Sequence, residues 1–247
     1  MKGTLYGVGV GPGDPELITL KAVNIIGKCR YIGIPASEAE SCTAYLIAKE
    51  AVPELDKKEI IAVEIPMISD IKALENSYEK GCKKLIDILE NGCDIAFLNL
   101  GDPTIYGSYM TLHELVGAAG YKTELVSGVS SFSAVAAKLG MRLGKRKEVI
   151  HIIPGHYSAD EQLEKKIREY LRNGDTLVIM KSSKDVGEIK RVLVAVESEG
   201  LGHAGYVTNC GMPGECIGDD IRDLDENAGY FTTIIVEASA TPCYNQS

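Results

Sequence analysis

Short apolar, β-branched segments alternate with longer segments of helical periodicity along the chain, and this alternation is its most constraining feature. Several short segments are apolar throughout, which is typical of strands covered on both faces. The pattern predicts an α/β protein with a largely parallel sheet. The predicted strands are 4–10, 31–34, 60–65, 94–100, 122–126, 149–153, 176–180, 204–207 and 232–236, and 215–219 is a candidate antiparallel strand. The predicted helices lie near 15–26, 40–51, 70–91, 105–119, 130–139, 160–173 and 185–199.

Two glycines, Gly117 and Gly120, interrupt the pattern near the middle of the chain. The length of 247 residues allows two small domains that each bury a core. We therefore predict two α/β domains, an N-terminal one at 1–120 and a C-terminal one at 121–247.

The start of the first helix carries strong local signals. Asp14 is a suitable N-cap, Pro15 fits the first helical position, and Gly27 follows the last apolar residue of the period. These signals predict a helix that begins after Asp14 and ends at Gly27.

The net charge of −9 argues against a nucleic-acid partner, because phosphate binding usually requires a basic surplus. One local basic run, 142–147, contains four cationic residues. No apolar run approaches the ~20 residues of a membrane span. The N-terminus lacks the layout of a signal peptide, so we predict a cytoplasmic protein without a membrane partner.

The cysteine and histidine patterns predict neither a disulfide framework nor a metal site. Seven cysteines are present, an odd number, and no pair has C-x-x-C spacing. The four histidines are not at ligand spacing either. The residues concerned are Cys29, Cys42, Cys82, Cys93, Cys210, Cys216, Cys243, His113, His151, His156 and His203.

The glycine-rich segment after the first predicted strand, 7–15, is similar to a dinucleotide-binding turn but fails its spacing. The third glycine of G-x-G-x-x-G is replaced by Pro12 in one register and by Asp14 in the other. A phosphate loop and a G-x-S-x-G nucleophile elbow are also missing. A second Gly-Asp-Pro turn, 101–103, follows another predicted strand. Such acidic turns suit a ligand with a cationic centre and a nucleoside better than a polyphosphate.

Three ordered segments resemble the tetrapyrrole (corrin and porphyrin) methylase family, and their order and spacing span essentially the whole chain. These segments are Gly7–Ala22, Leu98–Gly107 and Val126–Ala134. Within the family, Gly107–Met110 and Gly128–Ala134 are similar to the branch that methylates C20 of precorrin-2. The C11 and C17 methylases usually differ after the Gly-Asp-Pro turn.

The resemblance implies two α/β domains with S-adenosylmethionine in a cleft, S-adenosylhomocysteine as product, and a homodimer. The implied substrate is a tetrapyrrole, precorrin-2 or cobalt-precorrin-2. By this resemblance, Leu100 and Asp102 contact the methionine part of the cofactor. Met180 and the loop around Gly211 contact its adenosine. By resemblance the cofactor-binding residues are Pro12, Leu100, Gly101, Asp102, Thr104, Ile105, Ser130, Ser131, Met180, Gly211, Pro213 and Thr233, with Ile234 as a weaker candidate.

No catalytic acid/base pair is identified, which agrees with a sulfonium that is already a strong electrophile. Tyr106, Tyr109 and water are the candidates for accepting the proton that leaves C20. The basic run 142–147 is the candidate for binding the carboxylates of the substrate. Three alternatives remain open: another corrin-ring methyltransferase, a nucleotide-dependent oxidoreductase, and a catalytically silent tetrapyrrole-binding protein.

Overall fold

The computed structural model describes residues 2–66, 68, 70–155, 161–181 and 186–239. The chain forms two compact units, Met1–Ser130 and Ser131–Ser247. His156 and Cys243 lie outside the described residues.

The first unit is a five-stranded sheet with helices on both faces. Its strands are all parallel, in the order β3-β2-β4-β1-β5. In chain order the elements are β1 (Thr4–Gly9), α1 (Leu20–Lys28), β2 (Tyr31–Ile34), α2 (Thr43–Ala51), β3 (Glu59–Ala62), α3 (Ile71–Glu90), β4 (Ile95–Asn99), α4 (Tyr109–Ala118) and β5 (Lys122–Val126).

Each face of this sheet has its own core. Ala22 and Ile26 of α1 pack with α2 against one face, together with Val8 and Leu98 of the central strands. The helices α3 and α4 pack against the other face. The central strands β1 and β4 are buried at every position, which explains why their sequences are not amphipathic.

The unit boundary lies ten residues beyond the predicted one at 120, because β5 belongs to the first sheet. Thr4 and Val8 of β1 lie opposite Lys122 and Val126 in a parallel ladder. Gly117 and Gly120 lie at the end of α4, where the Gly120 N–H donates to the Gly117 carbonyl at 3.0 Å. This segment is therefore a helix end inside the first unit.

The second unit contains a mixed sheet in the order β6-β7-β10-β8-β9. Only β6 and β7 are parallel, whereas β10 is antiparallel to both β7 and β8. The candidate antiparallel strand at 215–219 is confirmed as β9, paired with β8. The elements are α5 (Ser131–Leu139), β6 (Ile150–Pro154), α6 (Glu161–Arg172), β7 (Thr176–Met180), α7 (Val186–Ser198), β8 (Gly202–Thr208), β9 (Cys216–Gly218) and β10 (Thr232–Ala238).

The predicted start of the first helix is wrong. Asp14 does act as a cap, accepting from the Glu16 N–H at 2.9 Å, but it caps a single 3₁₀ turn, Pro15–Leu17. The α-helix begins at Leu20, where the Thr19 hydroxyl accepts from the Ala22 N–H at 3.2 Å. Gly27 is inside the helix, which continues to Lys28.

Replacing Gly27 by alanine is expected to stabilise the protein. A Cβ at this position would meet nothing within 4 Å, and alanine restricts the unfolded chain more than glycine does. We expect Gly27→Ala to raise the free energy of unfolding by about 0.5–1 kcal/mol, measured by urea unfolding. A lower free energy of unfolding would contradict the placement of Gly27 within α1.

Candidate functional site

Three loops follow β1, β4 and β5 at the carboxyl edge of the first sheet. We call them the first loop (10–19), the second loop (100–108) and the third loop (127–130). Each loop includes part of one of the three sequence segments singled out above, and each pair of loops is joined by hydrogen bonds or by close backbone contact.

The first and second loops are joined through their backbones. The Gly101 N–H donates to the Gly11 carbonyl at 2.8 Å, and the Gly11 N–H donates to the Gly101 carbonyl at 3.3 Å. Both glycines have left-handed φ values, +82° for Gly11 and +70° for Gly101, which residues with a Cβ rarely adopt. The second Gly-Asp-Pro turn is therefore physically coupled to the glycine-rich start.

The carboxylate of Asp102 joins the second loop to the third. Its Oδ1 accepts from the Thr104 N–H at 2.8 Å and from the Thr104 hydroxyl at 2.5 Å. Its Oδ2 accepts from the Gly128 N–H at 3.0 Å. The predicted cofactor residue Asp102 is thus occupied in holding loops together.

The first and third loops are joined by a side-chain hydrogen bond, and glycines let their backbones come close together. The Thr19 hydroxyl donates to the Ser127 carbonyl at 3.4 Å. A Cβ on Gly128 would lie 2.1 Å from the Gly101 oxygen, and one on Gly9 would lie 2.5 Å from the Gly128 nitrogen. Only glycine permits these backbones to approach so closely.

The position of the loops in the sheet favours ligand binding. The chain leaves β1 toward α1 on one face and leaves β4 toward α4 on the other, although β1 and β4 are neighbours. Such a reversal opens a crevice at the carboxyl ends of parallel strands, where ligands of open α/β sheets bind.

The structure brings together the predicted residues that belong to the first unit. Pro12 is buried in the first loop, Leu100 packs partly buried against the core, and Thr104 is exposed. The predicted residues on or beside these loops are Pro12, Leu100, Gly101, Asp102, Thr104, Ile105 and Ser130.

The predicted residues of the second unit form a separate group at one edge of its sheet. Met180 ends β7 directly opposite Thr233 of β10, and both are buried. Gly211 and Pro213 lie in the loop that follows β8 at the same edge. Ser131, the remaining residue of this unit, begins α5.

The loop after β8 is fixed by a carboxylate. Glu215 Oε2 accepts from the Gly211 N–H at 2.5 Å, and Glu215 Oε1 lies 2.9 Å from Lys138 Nζ of α5. The Gly211 amide, with Lys138 adding to it, lowers the pKa of the Glu215 carboxyl. Asn209 and Gly211 both have left-handed φ values. This loop is therefore a tight, hydrogen-bonded turn.

The two tyrosine candidates for proton transfer have different surroundings. Tyr109 is fully buried beneath Gly7, and its hydroxyl donates to the Leu5 carbonyl at 3.4 Å. Burial raises the pKa of its phenol. Tyr109 is therefore a core residue, and its role as a proton acceptor stays a prediction that its burial does not favour. Tyr106 is 49% exposed in the second loop, with a left-handed φ of 50°.

Two buried polar atoms beside the loops lack hydrogen-bond partners. They are Ser131 Oγ and Asn99 Nδ2, and Asn99 is only 4% exposed. The sequence prediction included Ser131 but missed Asn99. The available signal was an amide side chain that ends an otherwise apolar strand, immediately before the second loop.

The basic run 142–147 lies in the segment from α5 to β6. Arg142 and Arg146 are exposed, and Arg146 has a left-handed φ of 51°. The Arg142 N–H donates to Glu237 Oε1 at 2.9 Å, which ties the start of the run to β10. The run thus presents cationic side chains to solvent.

Within the described ranges, no group of three or more His, Cys, Asp or Glu residues could hold a metal ion. Four of the six cysteines among these residues are buried. No helix in the described part of the chain has the length and apolarity needed to cross a membrane.

Comparisons with known proteins agree on one family. A family model described as Tetrapyrrole (Corrin/Porphyrin) Methylases matches residues 4–224. The probable cobalt-precorrin-2 C(20)-methyltransferase of Methanocaldococcus jannaschii is 36% identical over 72% of each chain. The precorrin-2 C(20)-methyltransferase of a Sinorhizobium species is 28% identical over 95% of each chain.

Solved structures show the same fold. A cobalt precorrin-4 methyltransferase has a TM-score of 0.73 and 20% identity, covering 95% of this chain and 94% of its own. A uroporphyrin-III C-methyltransferase from Thermus thermophilus, complexed with S-adenosylhomocysteine, has a TM-score of 0.63 and 19% identity. The alignment covers 95% of this chain and 97% of that one.

Proposed function

The chain belongs to the tetrapyrrole (corrin/porphyrin) methylase family, and we propose that it methylates C20 of precorrin-2 or cobalt-precorrin-2 with S-adenosylmethionine during cobalamin biosynthesis. The names of two relatives that match most of the chain support this reaction. The structural observation that carries the proposal is the joining of the three family segments into one hydrogen-bonded loop cluster at the carboxyl edge of the first sheet.

The residues at the two groups of predicted sites fit S-adenosylmethionine. The loops present backbone amides and carbonyls, and Ser131 Oγ is a buried hydroxyl without a partner. Asp14 and Asp102 place negative charge in the loops, which suits a sulfonium cation. In this proposal the second loop holds the methionine part of the cofactor. The adenosine contacts that the family resemblance implies for Met180, Gly211, Pro213 and Thr233 stay predictions.

The contribution of the chain to catalysis is alignment and exclusion of water. When bound, S-adenosylmethionine supplies a methyl group on a strongly electrophilic sulfonium. The loop cluster holds its backbone groups in place before binding, so little reorganisation is needed at the reacting centres. Alignment of two reacting centres lowers a barrier by roughly 7–11 kcal/mol in ideal cases.

Burial beneath Gly7 argues against the Tyr109 hydroxyl as the acceptor of the proton that leaves C20. Water and the half-exposed Tyr106 remain as acceptors in the proposal. The basic run 142–147 is proposed to bind carboxylates of the substrate, since it places exposed cations on a protein that is acidic as a whole. A cytoplasmic homodimer is also part of the proposal.

Isotope labelling tests the reaction directly. With S-adenosylmethionine carrying a ¹³C-methyl group, the purified protein is expected to produce a labelled methyl at C20, located by NMR spectroscopy. Precorrin-2 and cobalt-precorrin-2 are assayed side by side, because turnover identifies which of them is the substrate. A label at C11 or C17 would reject the C20 assignment and leave the family unchanged.

Two controls separate the other classes. Tight NADH binding without methyl transfer would favour an oxidoreductase, although the broken glycine spacing at Pro12 and Asp14 argues against it. Substrate binding without methyl transfer, in the presence of S-adenosylmethionine, would favour a silent binding protein.

A further inference from the structure

Asn99 is the last residue of β4 and lies directly before the second loop. Its backbone carbonyl accepts from the Val10 N–H at 2.9 Å, which keeps it at the centre of the sheet. Side chains alternate along a strand, so Asn99 lies on the same face as Ile95 and Phe97. This is the face covered by α3 and α4, at the edge where the loops begin.

The side-chain amide of Asn99 is unusual for its surroundings. The residue is 4% exposed, and Nδ2 has no hydrogen-bond partner. The four preceding residues of β4 are all apolar and buried. A buried N–H without a partner destabilises a protein, so an apolar side chain would stabilise the ligand-free state more. An amide at this position is therefore explained by a partner that is present only when a ligand is bound.

The chemistry of that partner follows from the amide, which is a hydrogen-bond donor. An N–H donor needs an acceptor oxygen, and an ionised acceptor gives the strongest bond. The Asp102 carboxylate accepts from Thr104 and Gly128 but not from Asn99, whose Nδ2 has no hydrogen-bond partner. The acceptor that we infer is therefore an oxygen of the ligand that the second loop holds.

We propose that Asn99 binds the cofactor, its amide donating a hydrogen bond to the carboxylate in the methionine part of S-adenosylmethionine. This inference rests on the proposed function, which supplies the cofactor.

Calorimetric titration with two ligands tests the assignment. Asn99→Leu is expected to weaken binding of S-adenosylhomocysteine by about 10- to 100-fold, the effect of losing a hydrogen bond to a charged group. The affinity for the decarboxylated analogue of S-adenosylhomocysteine should stay within about twofold of wild type, because the acceptor is absent from that ligand. Asn99→Ala, which removes the amide without adding bulk, should show the same selectivity.

Thermal unfolding of the ligand-free protein supplies a readout that a structural role would not give. We expect Asn99→Leu to raise the unfolding midpoint by about 2–4 °C, because the unpaired amide is removed. Thr4→Val is the matched control, since Thr4 is a buried polar residue at the other end of the same sheet. It should leave both affinities unchanged.

The outcomes are distinguishable. Equal weakening of both ligands together with a lower midpoint would assign Asn99 a structural role and overturn the inference. Wild-type affinity in Asn99→Leu would overturn it as well, with the proposed function intact. No binding of S-adenosylhomocysteine by the wild-type protein would overturn the proposed function itself, and the inference with it.

Discussion

Asp102→Ala is expected to weaken the binding of S-adenosylhomocysteine by about 100-fold, equivalent to about 2.7 kcal/mol. The carboxylate accepts three hydrogen bonds, two from Thr104 and one from the Gly128 N–H. Without it the second and third loops are no longer held together, and the backbone groups must be ordered when the ligand binds. We also expect the free energy of unfolding to fall by about 2 kcal/mol, since hydrogen bonds to a charged group are lost.

Asp14→Ala is the matched control for this experiment. Asp14 precedes a proline and accepts from the N–H two residues onward, as Asp102 does. Its hydrogen bond with the Glu16 N–H stays within its own turn. Losing it should therefore lower the free energy of unfolding by about 1 kcal/mol and weaken ligand binding much less than Asp102→Ala does. Wild-type affinity in Asp102→Ala would remove the second loop from the cofactor site.

Gly128→Ala is expected to abolish measurable cofactor binding and to lower the free energy of unfolding by about 3 kcal/mol. The added Cβ would lie 2.1 Å from the Gly101 oxygen and 2.8 Å from the Gly9 backbone. These neighbours are backbone atoms, so a side-chain rotation cannot relieve the overlap. The loops must separate, and their alignment at the sheet edge is lost.

Gly3→Ala separates loss of the site from loss of the fold. A Cβ on Gly3 would lie 2.0 Å from the Cys93 oxygen, an overlap of the same severity at the amino edge of the sheet. We expect a similar loss of stability in urea unfolding, with near wild-type affinity measured below the unfolding transition. Equal loss of affinity in both variants would show that destabilisation alone accounts for the effect.

The sequence predicted the buried strands well, because an apolar, β-branched run is a local signal. The predicted limits of β2, β5 and β7 agree with the structure at both ends. The start of α1 was predicted wrongly, because Asp14 and Pro15 are equally suited to the 3₁₀ turn they form. The boundary between the two compact units differs from the predicted domain boundary by ten residues, because the pairing of β5 with β1 joins segments more than one hundred residues apart.

In the candidate site too, features set by neighbouring residues were predicted, whereas contacts between residues far apart in the chain were not. The family segments identified the three loops, but the acceptor role of Asp102 depends on Gly128, which is 26 positions away. The burial of Tyr109 depends on the missing side chain of Gly7 in another strand. Neither the contact between Asp102 and Gly128 nor the one between Tyr109 and Gly7 can be predicted from the spacing of residues along the chain.

The order of strands in the second sheet has a consequence for biosynthesis on the ribosome. The first unit has all its strands once residue 130 has emerged, so it can fold while the rest is still being made. The second sheet cannot close at that stage, because β10, its last strand in the chain, lies between β7 and β8. Until Thr232–Ala238 emerges, the pairs β6–β7 and β8–β9 each have an unpaired edge. A chain truncated before β10 would keep these edges unpaired.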